Sequence, residues 1–488
     1  MIQAATSQMV QLWRLCHHLF SRPTFLFTFN RYIGYALQFV RGILLAKMLG
    51  PLLFGVWGFL TLMIQYLSYT GLGLQYAINV ELAVKEGDDS QTHHAHLIGV
   101  TLTATVLIAI VLLLAGFAIQ SFQIPLFTKY SFSQYALVLA LLIGLTHLNQ
   151  VYANIYRVYQ KLGRITAYEF VLAFLPLAAI FFFRDEQLVM ASLLAMVLAN
   201  VIGILVYTFY APFPIQFLWD APLLRYLLAL GIPLLIYNLS FWLITLVGRT
   251  IISIFYSVET MGYFSLANNI TNATLLGLRA VAWVVFPTVL VKTRYGLPDD
   301  RVRQTVRKVN TVYGTAVFLA IWGMILLTPL LFIILPQYQS SIQVLIILLL
   351  SQAVLSMTFG YNSLAIARKQ HIKVAGIALI AVGVVFALGL AAAWSGMDML
   401  WVATAMLVGS IVFSLLQAWL GERLIQQDQT VGKYWFQVMS AGSFIAVTLA
   451  LTGCLTGHYL IFNMLGVLAF SVGNRSALKQ LWQYVRSF

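Results

Sequence analysis

Charge is what this chain has least of. Only 9% of its 488 residues are Asp, Glu, Lys or Arg, and 61% are hydrophobic, whereas soluble domains carry about 25% charged residues. A water-soluble globular fold is thereby excluded. Acids are scarcer than bases, 14 against 28. Cysteine is nearly absent: Cys16 and Cys454 stand at opposite ends, which leaves no disulfide framework and no metal-ligand spacing. The first residues lack the unbroken apolar core of a cleavable signal, because Arg14, His17 and His18 interrupt it. Leu12, Cys16, Leu19 and Phe20 share a face beside Trp13 instead, which predicts an interfacial helix within 1–24.

Long apolar runs are what the chain has in abundance. About fourteen of them, near the 20 residues that cross a bilayer as helix, lie between Phe25 and Val472. Lys and Arg gather in alternate connectors, among them Lys85, Arg157 with Lys161 and Arg164, the run from Arg301 to Lys308, and Arg368 with Lys369 and Lys373. The other connectors hold only Lys47, Lys129 and Arg184. Basic loops stay on the cytoplasmic side, so both termini are expected there. This topology absorbs most of the net charge of +14 and leaves no call for a nucleic-acid partner. The phospholipid membrane itself is the first partner.

The pattern predicts an all-α polytopic membrane protein of about fourteen transmembrane helices. Pro212, Pro214 and Pro222 mark a break between halves. The expected division is an N-lobe over 25–211, a linker over 212–226, a C-lobe over 227–425, an accessory helix pair over 433–474 and a cytoplasmic tail over 475–488. Each lobe has six spans and starts on the same side. Such repeats are parallel, related by a pseudo-twofold axis along the membrane normal.

The lobe starts carry the repeat. Arg41 is followed by Leu49-Gly50-Pro51 and Phe54-Gly55-Val56-Trp57; Arg249 is followed by Val258-Glu259-Thr260 and Met261-Gly262-Tyr263-Phe264. The second copy is one residue shorter between its Arg and its Gly. An arginine inside an apolar run costs on the order of 3 kcal/mol on insertion scales, which makes its default meaning functional.

These stretches resemble the polysaccharide-lipid exporter branch of the multidrug/oligosaccharidyl-lipid/polysaccharide (MOP) superfamily, the Wzx-type flippases of O-antigen and capsule repeat units. Lys47, Leu49, Gly50, Pro51, Phe54, Gly55 and Trp57 match the first-helix signature, and Gly262, Phe264, Ala267 and Pro287 the eighth-helix one. The resemblance implies a bacterial inner-membrane flippase for undecaprenyl-pyrophosphate-linked, or other polyprenyl-linked, oligosaccharides. It works by alternating access without catalytic chemistry, alongside polysaccharide polymerase and chain-length machinery. The stretch from Phe39 to Gly50 also resembles lipid II flippases, with Arg41 on their first-helix cavity arginine. Many relatives carry an acid just before the basic position of the seventh span, where this chain has Gly248.

Helical spacing groups polar residues into stripes. Arg31, Gln38 and Arg41 share the first span; Asn238, Trp242, Thr245 and Arg249 the seventh; Ser265, Asn268, Asn272 and Arg279 the eighth. Lipid satisfies none of these donors, so the stripes should face protein or water. Guanidinium forks bind phosphate oxygens bidentately and stay charged, and amide side chains hydrogen-bond sugars. The substrate-binding set expected is therefore Arg41, Arg249, Arg279, Arg31, Gln38, Asn238, Asn268 and Asn272. Arg31 and Arg279 also fit snorkelling to headgroups, and the amides fit helix-to-helix contacts. His147 fits a packed polar residue better than a proton relay. No cofactor or metal is expected.

Two other functions remain open. A cation-coupled multidrug exporter of the same superfamily needs buried carboxylates, and Glu169 is the acid the sequence places inside a span. A membrane polymerase or ligase needs converging acids or histidines on a sizeable outer connector, and every outer connector here is short.

Overall fold

A computed structural model describes residues 23–84, 90–293, 298–425 and 439–486. The side chains of 23–29, 31, 83–84, 90–92, 277, 279–288, 290–291 and 483–486 lie outside that description. The interfacial helix expected within 1–24 falls almost wholly outside the described residues.

Among the described residues the protein is all helix, with no strand. The helices are α1 (Pro23–Leu67), α2 (Leu74–Val84), α3 (Ser90–Ser121), α4 (Phe132–Val158), α5 (Leu162–Phe182), α6 (Asp185–Phe209), α7 (Ala221–Phe255) and α8 (Val258–Thr293). They continue with α9 (Asp299–Ile334), α10 (Ile342–Ser356), α11 (Phe359–Ala367), α12 (His371–Trp394), α13 (Met399–Leu424), α14 (Ala441–Thr456), α15 (Tyr459–Gly473) and α16 (Arg475–Arg486). Ten described helical stretches are long and apolar enough to cross a membrane, and α14 and α15 are shorter apolar helices. The all-α, multi-pass architecture is as the hydropathy predicts.

The first span ends inside α1, where Gly50 takes φ 66° and ψ 173°. That left-handed φ favours glycine, and Pro51 then starts the next helical segment at the position proline tolerates best. The second span is broken: a 3₁₀ turn at Ser68–Gly71 leads to Leu72 and Gly73, both at positive φ, before α2 begins. Gly73 packs on Gly231 so closely that a Cβ on either would overlap the other's carbonyl. The tenth span is broken between α10 and α11, where Asn310 Oδ1 accepts the Gly360 N–H at 2.7 Å and satisfies a helix-start donor. α7 begins at Ala221, within the stretch expected as linker, and Asp220 Oδ1 accepts the Leu223 N–H at 3.0 Å as its cap.

The chain forms two compact units, Met1–Met48 with Met63–Leu235, and Leu49–Leu62 with Ile236–Phe488. In the first unit α3 packs on α4, α5 on α6, and α4 on both α2 and α6. In the second α9 packs on α10 and α11, α12 on α13, and α10 on both α8 and α13. Third-with-fourth, fifth-with-sixth, fourth-with-sixth and second-with-fourth pairing thus recurs in each half. The accessory helices α14 and α15 pack on one another and, within the same unit, on α10 and α9.

Buried polar groups hold each unit to a single packing. In the first, Asn149 Nδ2 donates to both the backbone and side-chain oxygens of Asn200 at 2.9 Å, and Tyr168 donates to the same side chain at 2.9 Å. In the second, Tyr361 donates to Glu422 Oε1 at 2.5 Å. Glu422 is 1% exposed. The sequence points to Glu169 as the intramembrane acid, but Glu169 is only half-buried and Glu422, at the end of α13, is the enclosed one.

Candidate functional site

The site is built where the two repeat starts meet, inside the second compact unit. The α1 segment after Pro51 lies against the first turns of α8. A Cβ on Gly55 would overlap the Val258 carbonyl, and a Cβ on Gly262 would overlap the Pro51 carbonyl. Gly55 and Gly262 are counterparts in the repeat, and so are Pro51 and Val258. The contact is therefore self-complementary, as twofold contacts must be. Gly58 and its counterpart Ser265 face each other on the local axis, with the Ser265 hydroxyl filling the space a Gly58 side chain would need. Glycine is required here by close backbone approach. Pro51 starts one helix, and Ser257, whose Oγ accepts the Thr260 N–H at 3.1 Å, caps the other.

Arg249 is clamped to this contact. Its Nη2 donates to the Gly58 carbonyl at 2.7 Å and to Thr61 Oγ1 at 3.1 Å. The Thr61 hydroxyl in turn donates to the same Gly58 carbonyl at 2.8 Å. Both acceptors are neutral oxygens, and Arg249 is 2% exposed. Beside it, the space a side chain at Gly248 would need is taken by the thioether of Met406 on α13. An acid at that position cannot be seated without displacing Met406, itself buried at 2% exposure.

Arg41 is not the structural twin of Arg249. Counted back from Gly55 and Gly262, the extra residue in the first copy puts Gly42, not Arg41, at the position equivalent to Arg249. Arg41 is half-buried and Gln38 is exposed. On α7, Asn238 is half-buried and lies about 16 Å along the axis from Arg249. On α8, Asn268 is buried and Asn272 half-buried. The α8 stripe and Arg249 are brought together through Ser265 and Gly58. The side chains of Arg31 and Arg279 lie outside the description.

Thr61 is missing from the expected set. Thr61 holds Arg249, and the Gly55-x-x-Gly58 spacing opposite Gly262-x-x-Ser265 is the signal that could have located it. His147 Nε2 lies 3.0 Å from Thr70 Oγ1, which seats the imidazole, 3% exposed, against the break in the second span. That is the packed polar role rather than an open face.

Residues 21–293, more than half of the 488-residue chain, match the family described as polysaccharide biosynthesis protein. The chain belongs to that family. No curated protein matches the sequence. Solved structures supply the fold. The lipid II flippase MurJ in an inward closed conformation is similar with a TM-score of 0.68 at 14% identity, covering 93% of this chain and 99% of that one. An inward-facing multidrug resistance MATE family transporter of the MOP superfamily gives 0.65 at 15% identity, covering 80% and 94%. A MOP superfamily transporter from Pyrococcus furiosus, for which reverse polarity of the binding pocket suggests a different function, gives 0.57 at 14%, covering 83% and 97%. The chain therefore shares the fold of these transporter structures. Its Arg249 clamp is formed by the same repeat starts that carry the sequence resemblance.

Proposed function

We propose that the protein moves polyprenyl-diphosphate-linked oligosaccharide repeat units, on an undecaprenyl-type carrier, from the cytoplasmic to the outer leaflet of a bacterial inner membrane by alternating access. Both termini are cytoplasmic in this reading. The observation that supports it best is a guanidinium buried within the bilayer-spanning region and held by a backbone carbonyl and a hydroxyl. Removing such an ion from water costs several kcal/mol, and a merely structural contact between glycine-rich helix faces needs no charge. In the conformation described, Arg249 is sequestered by Gly58 and Thr61. Separation of the 51–62 segment from 258–265 withdraws those oxygens, and a diphosphate then offers the guanidinium bidentate, charged acceptors in their place. Arg41, with Gln38 and Arg31, supplies a second set of donors. Asn238, Asn268, Asn272 and Arg279 complete the lining. No residue of the set forms or breaks a covalent bond.

The test is complementation of a strain lacking a repeat-unit flippase, with the lipid-linked sugar identified by mass. Arg41→Ala and Arg249→Ala are expected at normal protein levels with the lipid-linked sugar retained on the inner side. Wild-type transport by both variants removes the proposal.

One observation favours a second reading, a cation-coupled multidrug exporter. Glu422 is a fully enclosed carboxylate in the C-terminal half, bonded to Tyr361. Such an exporter requires that Glu422→Gln abolish drug resistance while Arg249→Ala spares it. The opposite pair of results favours the flippase.

A further inference from the structure

The chain does not end with its last apolar helix. After Gly473 the backbone leaves helical geometry at Asn474 (φ −114°, ψ 23°), and α16 starts at Arg475. Its position is fixed by packing rather than by a tether. Gly442 and Gly473 pack backbone to backbone, and Asn474 Nδ2 donates to Ser443 Oγ at 3.1 Å and to the Phe470 carbonyl at 2.9 Å. Trp322 lies against Gly466, and Phe318 stacks on Phe470 with centroids 5.3 Å apart. These contacts step down α9 by four residues as they step along α15 by four. They lead toward the start of α9, and α16 itself packs on α9.

α16 is strongly two-faced. Ala477, Leu478 and Leu481 fall on one side by helical spacing, and Trp482 with Arg475 and Lys479 on another. Ala477 is buried, Leu478 and Leu481 are half-buried, and Arg475, Lys479 and Trp482 are exposed, the last by 59%. The start of α9 adds Arg301, Arg303, Arg307 and Lys308, of which all but Arg303 are exposed. These six cations stand at the end of the unit that also holds Arg368, Asp299, Asp300 and Glu422. Asp299 already faces Arg368 at 3.5 Å, and Asp300 faces Arg303 at 3.4 Å. Arg475 and Lys479 have no ion-pair partner among the described residues.

We propose that α16 and the start of α9 form a binding surface for the headgroups of anionic phospholipid. The helix follows the apolar α15 after a single residue, which in this proposal sets it at headgroup depth. Its exposed tryptophan beside basic residues is the pattern of a helix lying in the interface. The excess of positive charge needs anions, and phosphate diesters of the adjoining leaflet are the anions within reach. This surface is independent of the transport proposal.

The experiment uses purified full-length protein in detergent, titrated with phosphatidylglycerol and with phosphatidylcholine, with bound lipids counted by native mass spectrometry. The wild type is expected to prefer phosphatidylglycerol. A basic residue at a membrane surface contributes about fivefold in binding, so R475Q/K479Q should lower the preference by about 25-fold. R475E/K479E should abolish it, and K129E, at an exposed connector elsewhere in the chain, should leave it unchanged. Monodisperse elution and unaltered helical circular dichroism establish that each variant is folded. Should the charge-reversed pair fail to fold, salt decides on the wild type: raising ionic strength from 0.1 to 1 M shortens the screening length from about 10 to about 3 Å and should remove the preference. An unchanged preference in folded R475Q/K479Q, or in 1 M salt, overturns the proposal. So does a wild type that holds both lipids equally.

Discussion

Replacing Arg249 separates what the clamp does for stability from what it does for transport. Among the guanidinium's contacts are hydrogen bonds to two neutral oxygens, at 2.7 and 3.1 Å. A hydrogen bond from a charged donor contributes about 1.5–3 kcal/mol net. Against this stands the desolvation of the ion, several kcal/mol even after relaxation. The two nearly cancel, so Arg249→Met, which keeps most of the volume and discards the charge, should change stability by no more than about 1 kcal/mol in either direction. Thr61→Val is the contrasting change. It removes one acceptor and leaves the cation buried, at a cost of about 1–3 kcal/mol. The expected order of thermal stability is therefore Arg249→Met within about 1 kcal/mol of wild type and Thr61→Val below it. The double variant should recover most of the Thr61→Val loss, because the charge that needed the hydroxyl has gone. Stability would be read by thermal unfolding of purified protein with size-exclusion detection, and transport by complementation. Transport should be lost in Arg249→Met despite its intact fold. If Arg249→Met is instead the less stable variant by about 2 kcal/mol or more and still transports, the arginine is a structural strut and the argument from its charge fails.

Three further outcomes follow from the packing. Gly262→Val should force α8 away from the Pro51 carbonyl, costing about 1–3 kcal/mol by overpacking, with reduced folded yield as the measure; Gly314→Ala, where a Cβ meets nothing within 4 Å, should be tolerated. Tyr361→Phe leaves the enclosed Glu422 carboxylate without its donor, at about 1–3 kcal/mol, and adding Glu422→Leu should restore much of the loss in a thermal-shift assay. Gly248→Asp should destabilise the protein through Met406, and Gly248→Asp with Met406→Ala should fold better than the single variant, judged by the fraction eluting as monodisperse protein.

Hydropathy made the spans legible because each needs only length and apolarity, properties that are local in sequence. The lobe-start repeat was legible for the same reason: Gly55 and Gly262 stand in matching local contexts. What hydropathy cannot carry is register between distant segments. The break after Leu67 depends on Gly73 meeting Gly231, and the break before Phe359 on Asn310 reaching Gly360 from another helix. Glu422 reads as a span-end acid, and only Tyr361 and the surrounding helices enclose it. Arg249 illustrates both sides. Its apolar neighbours announce an unusual residue, but its partners include a backbone oxygen, which no side-chain pattern reveals, and Thr61, one turn before Gln65 on the same helix face.

The one-residue difference between the repeats has a consequence for any anion the two arginines handle. Equal copies would offer it equivalent stations, a level path with no preferred resting place. Here Arg41 is half-buried and Arg249 buried, so under the transport proposal each would give up different contacts to take the same load. Unequal stations give a carrier an uneven free-energy profile, and deleting a single residue between Arg41 and Gly50 would be the shortest route to levelling it.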